Sequence, residues 1–116
     1  MTSIRVLVMT VVHHPLDTRI LVRQISALVD AGHVVTYAAP FSAHGVEPPV
    51  DVTTIDLPRS VGRRRLGALR SARRLLRQTA GDYDVVLIHD AELVLAAASV
   101  RDAPVVWDVH EDTAAA

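Results

Sequence analysis

Residues 4–20 read IRVLVMTVVHHPLDTRI, and the first half of that stretch decides the fold class. Ile4 to Val12 is almost uniformly apolar, broken only by Arg5 and Thr10. A strand with one wet face alternates apolar and polar residues. A strand covered on both faces reads as a continuous apolar run, as in a parallel sheet. Pro15 ends the run. Asp17 or Thr18 can then cap a helix by accepting a free N–H of its first turn. Leu21, Ile25, Leu28 and Val29 recur at helical spacing, and Gly32 stands where a left-handed C′ residue stops a helix. A buried strand followed by a capped helix is the opening of a β-α-β unit.

The rest of the chain repeats that grammar. Val34 to Ala39 reads as a second strand, Pro40 to Pro49 as a loop rich in turn residues, and Val52 to Leu57 as a short third strand. Pro58 to Gly62 is a second loop. Leu66, Leu69 and Leu76, with Ala72 or Ala80, then mark the apolar stripe of an Arg-rich helix ending near Gly81. Asp84 to His89 is a fourth apolar strand, Ala91 to Val100 an Ala-rich helix with Asp90 as its cap, and Val105 to Val109 a fifth strand. The order β-α-β-β-α-β-α-β predicts an α/β fold: a Rossmann-like, open parallel sheet of about five strands with flanking helices.

Composition agrees. At 116 residues the chain is one domain, and half of it is apolar, chiefly Val, Ala and Leu. There is no cysteine, which excludes disulfides and thiolate metal sites. The first residues lack the layout of a signal peptide, and no apolar run is long enough to span a bilayer, so the expected location is the cytoplasm, with peripheral contact at the inner membrane face as an extension. All 12 basic residues are Arg, and they are unevenly placed: the segment from Arg59 to Arg77 contains no acid.

In open α/β sheets, ligands bind beyond the carboxyl ends of the strands, where the strand order switches. Here the first strand is followed by His13, His14, Asp17 and Arg19, the fourth by His89, Asp90 and Glu92, and the fifth by Asp108, His110 and Glu111. Parallel strands share one carboxyl edge, so these groups are expected to converge. Simpler readings stand beside that one. Asp17 serves as a helix cap, and His89 and Asp90 serve as a strand end and a cap. Asp108 and His110 are two apart on a strand, share a face, and are costly to bury unless used or solvated. His33 reads as structural and His44 as a solvated loop residue. No H-x-x-x-H pair, G-x-G-x-x-G, P-loop or G-x-S-x-G is present, so metal, dinucleotide and serine-nucleophile chemistries lack their usual signatures.

Three segments together resemble a known family: HHPLDTRILVRQISALVDAGHVVTYAAP (13–40), DYDVVLIHDAELVLAAA (82–98) and APVVWDVHED (103–112). They are similar to the N-terminal, acceptor-side domain of GT-B glycosyltransferases of the retaining, nucleotide-sugar-using group 1 or family 4 kind. The resemblance implies a partial N-terminal Rossmann-like domain over residues 1–116, with a donor-binding domain absent from this chain and the fragment inactive alone. It implies a parent enzyme that moves a sugar from a nucleotide-sugar donor to an acceptor hydroxyl in surface polysaccharide or glycolipid synthesis, without a metal or other cofactor. By position it makes His110 catalytic, places His89, Asp90, Asp108 and Glu111 around acceptor and transferred sugar, and puts His14, Asp17 and Arg19 on the donor-phosphate side. A non-catalytic α/β module binding a small anion at the same edge is the alternative.

Arg63, Arg64, Arg65, Arg70, Arg73, Arg74 and Arg77 have three readings: a solvated helix face, a contact with anionic lipid heads, or a nucleic-acid surface. The segment has no aromatic residue for base stacking, which argues against nucleic acid as a partner.

Overall fold

The computed structural model describes residues 3–97 and 104–107. Five strands, β1 (Arg5–Met9), β2 (Val34–Ala39), β3 (Thr53–Asp56), β4 (Val85–Ile88) and β5 (Val105–Trp107), form one sheet of order β3-β2-β1-β4-β5. Every pairing is parallel, with Val8 opposite both Tyr37 and Leu87, and Ile88 opposite Trp107. The apolar run at Ile4–Val12 therefore sits at the centre of the sheet, as its composition requires.

Side-chain alternation along β1 divides the core into two layers. Val6 and Val8 pack with Ile20, Ile25, Val35, Tyr37 and Phe41 on one face. Leu7, Met9 and Val11 pack on the other with Ala68, Ala72 and Leu76 from α2 (Arg65–Thr79) and Leu93 and Ala96 from α3 (Ala91–Ala97). The chain leaves β1 for β2 and β3 on one side, then returns across β1 to β4 and β5. The switch in direction lies between β1 and β4.

Local chemistry accounts for the helix boundaries and for three departures from the sequence expectation. The first helix opens as a π-helix over Arg19–Ile25 and continues as α1 (Ser26–Asp30). Both the Ser26 N–H and its hydroxyl donate to the Leu21 carbonyl, five residues back, which is the spacing of a π turn. Its buried side chains are Ile20 and Ile25, and Val29 is 40% exposed rather than part of the core stripe. Gly32 does stop the helix, at φ +91°, where a side chain would be strained.

The second departure concerns α2. Leu66 was expected on its core stripe but is 59% exposed. The buried residues are Ala68, Ala72 and Leu76, with Leu69 and Leu75 partly buried, because small side chains let the helix lie close to the sheet and to α3. Leu66 projects instead on the arginine side. The third concerns Asp90, expected to cap α3 with its side chain. Its backbone carbonyl accepts from the Leu93 N–H, while its carboxylate turns the other way, into the sheet edge.

Candidate functional site

The carboxyl ends of β1 and β4 meet in a polar cluster at the switch point, centred on Asp90. That residue is only 4% exposed. One carboxylate oxygen accepts from the Thr10 hydroxyl at 2.8 Å; the other accepts from the backbone N–H of Val11 at 2.5 Å and of Val12 at 3.1 Å. A buried carboxylate is tolerable only when paired in this manner. The charge clamps the turn that follows β1 to the end of β4.

His13 lies across the same junction. Its Nε2 is 3.1 Å from the His89 carbonyl and 3.4 Å from the Asp90 carboxylate, while its Nδ1 is 4.0 Å from Asp17. A carbonyl oxygen can only accept, so Nε2 carries the proton in this arrangement. The Thr10 hydroxyl accepts from the His13 N–H at 3.0 Å, which closes the turn. His89 itself is buried, and its Nε2 meets the Gln24 side-chain oxygen from the π-helix.

Asp17 does act as a helix cap. Its Oδ1 accepts from the Arg19 N–H at 2.9 Å, its carbonyl accepts from the Leu21 N–H, and its Oδ2 lies 3.4 Å from the Arg19 guanidinium. Burial pushes the Asp17 carboxyl upward, but hydrogen bonds and charge from Arg19 outweigh it, and the net shift is downward. Tyr37, buried beneath this turn, donates to the Pro15 carbonyl at 2.9 Å. Burial, then the negative charges of Asp17 and Asp90, hold its hydroxyl well above the usual tyrosine range.

These contacts bear on the donor-phosphate reading of the turn. The N–H groups of Val11, Val12, His13, Leu16, Asp17 and Arg19 already have acceptors within the protein. An anion arriving here would meet side chains, His14 and Arg19, rather than a glycine-lined backbone cradle.

The structure thus brings Asp90, His89 and Asp17 together, as the sequence predicted. It gives His13, named among the groups after the first strand, the bridging place, and adds Thr10 and Gln24, which the sequence did not single out. Thr10 was hidden inside an apolar run; its signal was being the sole uncharged polar residue of that run. Nothing local marks Gln24, whose partner is 65 residues away. Asp108, His110 and Glu111 lie outside the described residues; the strand that leads to them, β5, is paired beside β4. His33 is structural as expected: its Nδ1 accepts from the Ile4 N–H at 3.2 Å. His44 is not solvated as expected. It is half-buried, packed at a tilt of 59° against His14 with ring centroids 4.7 Å apart, and among the described residues its buried Nε2 has no hydrogen-bond partner.

The arginines of α2 separate into groups. Arg70, Arg73, Arg74 and Arg77, with Gln78, line a shallow depression of about 410 Å³ on the outer face of the helix. Arg63 and Arg65 are exposed near its start. Arg64 turns toward the β3 end, where it lines a separate cleft. Among the described residues, no group of three or more His, Cys, Asp or Glu side chains is placed to hold a metal ion. Among the same residues, no helix is long and apolar enough to cross a membrane.

A doubly wound parallel sheet with helices on both faces defines the class of Rossmann-like α/β domains. Within that class, residues 18–115 match the family model described as Glycosyltransferase Family 4, and the chain belongs to that family. Comparison with curated proteins and with solved structures gave no match.

Proposed function

We propose that this chain is the acceptor-side domain of a glycosyltransferase that takes its sugar from a nucleotide-sugar donor and transfers it to an acceptor hydroxyl. The observation that carries this reading is the cluster at the β1–β4 switch point in a member of Glycosyltransferase Family 4. On this reading the donor-binding half is not contained in residues 1–116, and transfer requires it. No metal or other cofactor is needed, because protein groups hold the donor phosphates.

The described residues supply the frame of the site rather than its reacting groups. Asp90 fixes the turn after β1, and His13 bridges that turn to β4. His89 is buried against Gln24, so it contributes its carbonyl and its position. The reacting imidazole is His110, flanked in sequence by Asp108 and Glu111 beyond the end of β5; that assignment rests on the resemblance of DVHED to the family. A histidine there would accept a hydrogen bond from, or a proton off, the sugar or acceptor hydroxyl. Retention of configuration and a role in surface polysaccharide or glycolipid synthesis belong to the same proposal.

A membrane-facing acceptor fits the outer side of α2. Arg70, Arg73, Arg74 and Arg77 share one face with the exposed Leu66, an arrangement that suits anionic lipid heads with an apolar contact among them. The proposal extends to a cytoplasmic protein in peripheral contact with the inner face of the membrane, and the arginine face of α2 supports that reading.

Amide-resolved NMR tests the location of the site. Simple mono- and disaccharides and nucleoside diphosphates, added separately to isotope-labelled residues 1–116, should move amides of Thr10–Asp17 and His89–Asp90. Saturable shifts confined to the amino-terminal edge of the sheet, near Ser3, Gly32 and Asp84, would contradict the assignment.

A further inference from the structure

Beyond the β1–β4 cluster, the same edge of the sheet carries a basic corner at the ends of β2 and β3. A cleft of about 370 Å³ opens there, lined by Ser42, Asp56, Leu57, Pro58, Arg59 and Arg64, among others. Among the described residues, neither Arg59 nor Arg64 has a carboxylate within ion-pair distance. Asp56, the acid of the cleft, is already engaged: its two oxygens accept from the Ser42 N–H at 3.0 Å and the Ser42 hydroxyl at 2.5 Å. Two guanidinium groups in a concave site with their one acidic neighbour tied to a serine leave net positive charge to be neutralised.

The corner is joined to the candidate active site on both sides. Ser60, next to Arg59, donates its N–H to the Val11 carbonyl at 2.8 Å, and its hydroxyl meets the Glu92 carboxylate of α3. His44, just past Ser42, packs its ring at a tilt against that of His14, the neighbour of His13. Among the described residues, the buried His44 Nε2 has no hydrogen-bond partner, which is uncommon for a side-chain nitrogen in a folded protein. Burial lowers the His44 pKa, and the neighbouring Arg59 and His14 lower it further.

We infer that Arg59 and Arg64 form a seat for an oxyanion carried by the acceptor, a phosphate or a carboxylate, held beside the reacting hydroxyl. The inference deepens the glycosyltransferase reading by naming the acceptor class, and rests on that reading for the word acceptor alone. Guanidinium groups offer paired donors that match oxyanion geometry. An anion on Arg59 would offset the charge that lowers the His44 pKa, so the His44 ring, just past Ser42 and Ala43 of the cleft, reports on its occupancy.

The test is binding, not turnover, so it stands or falls separately from transfer activity. Inorganic phosphate, glucose 6-phosphate, glucuronate and neutral glucose are titrated into residues 1–116 while the His44 ring resonances are followed by NMR. The three anions should shift His44 saturably and raise its pKa; glucose should not. The tighter of glucose 6-phosphate and glucuronate identifies the natural charge as phosphate or carboxylate. Arg59→Gln and Arg64→Gln, both at exposed positions, should each weaken anion binding roughly tenfold or more, the scale of a lost charged hydrogen bond. Arg23→Gln, at an exposed position of the π-helix, should leave it unchanged. Absence of a saturable His44 shift, an equal shift with chloride, or equal weakening by Arg23→Gln would overturn the seat.

Discussion

Removal of the Asp90 carboxylate should destabilise the fold by an amount that its contacts set. Asp90→Ala leaves the Thr10 hydroxyl and the Val11 N–H, both in fully buried residues, without their acceptor. The Val12 N–H also loses its partner, but this residue is 41% exposed and water can substitute. Each buried donor left unpaired costs about 1–3 kcal/mol, and His13 loses a charged neighbour at 3.4 Å. The sum is roughly 3–5 kcal/mol, a large part of the 5–15 kcal/mol of a typical domain. Asp90→Asn keeps the shape. Its carbonyl oxygen can still face Val11 and Val12, and its amide can donate to Thr10, whose hydroxyl rotates to accept. It should therefore cost only about 1–2 kcal/mol. Urea unfolding followed by the fluorescence of Trp107, on the strand beside β4, measures both variants. Thr10→Val, combined with Asp90→Ala in a double-mutant cycle, should show coupling of about 0.5–3 kcal/mol. A loss below about 1 kcal/mol for Asp90→Ala, or additive effects of the two changes, would refute the clamp.

Tyr37 makes stability sensitive to alkali. Its folded pKa lies above the ordinary value of 10.0, so the neutral phenol is favoured in the fold. The associated stability is complete below about pH 10 and is lost as pH rises toward the folded pKa; Tyr37→Phe should abolish that slope and cost about 1 kcal/mol at neutral pH through the Pro15 carbonyl. Asp17 acts in the opposite sense. Its lowered pKa means that its contribution is present above the ordinary value of 3.8 and is lost as pH falls through the folded pKa, so the gap between wild type and Asp17→Asn should close in acid; a gap that persists there would show that the cap works without charge. Vesicles with anionic lipid should retain the protein at low salt and release it as screening shortens the field to about 8 Å near 0.15 M. Reversal of Arg70, Arg73 and Arg77 to Glu should abolish retention, and equal retention by neutral vesicles would rule out an electrostatic contact.

Much of this architecture was legible because burial writes itself into composition. The run at Ile4–Val12 reads as a central strand since both of its faces are covered, and the order of the sheet follows from short right-handed crossovers. Gly32 announced a left-handed stop. Side-chain partners were less accessible. Asp90 looked like a helix cap because Asp before an Ala-rich stretch commonly is one; only the juxtaposition of β1 and β4 offers its carboxylate a better set of donors. Leu66 looked like core by its chemistry, yet alanine won that face because close packing needs small side chains. The pairings of His13 with His89, Gln24 with His89, and His14 with His44 join residues distant in sequence, and no local pattern encodes them. Arg64 appeared to belong with its neighbours until the 3-10 turn at Gly62–Arg64 directed it to the β3 end.

In the proposed function, sugar transfer occurs over the carboxyl ends of β1, β4 and β5. The most direct measurement uses a protein in which this domain is joined to its donor-binding half, incubated with a panel of nucleotide sugars and phosphate- or carboxylate-bearing acceptors, with product read by mass. The account predicts transfer by the wild type, loss by orders of magnitude in His110→Ala with unchanged unfolding midpoint, and no transfer by residues 1–116 alone. Undiminished turnover per folded molecule in His110→Ala would contradict it, as would transfer by the isolated domain.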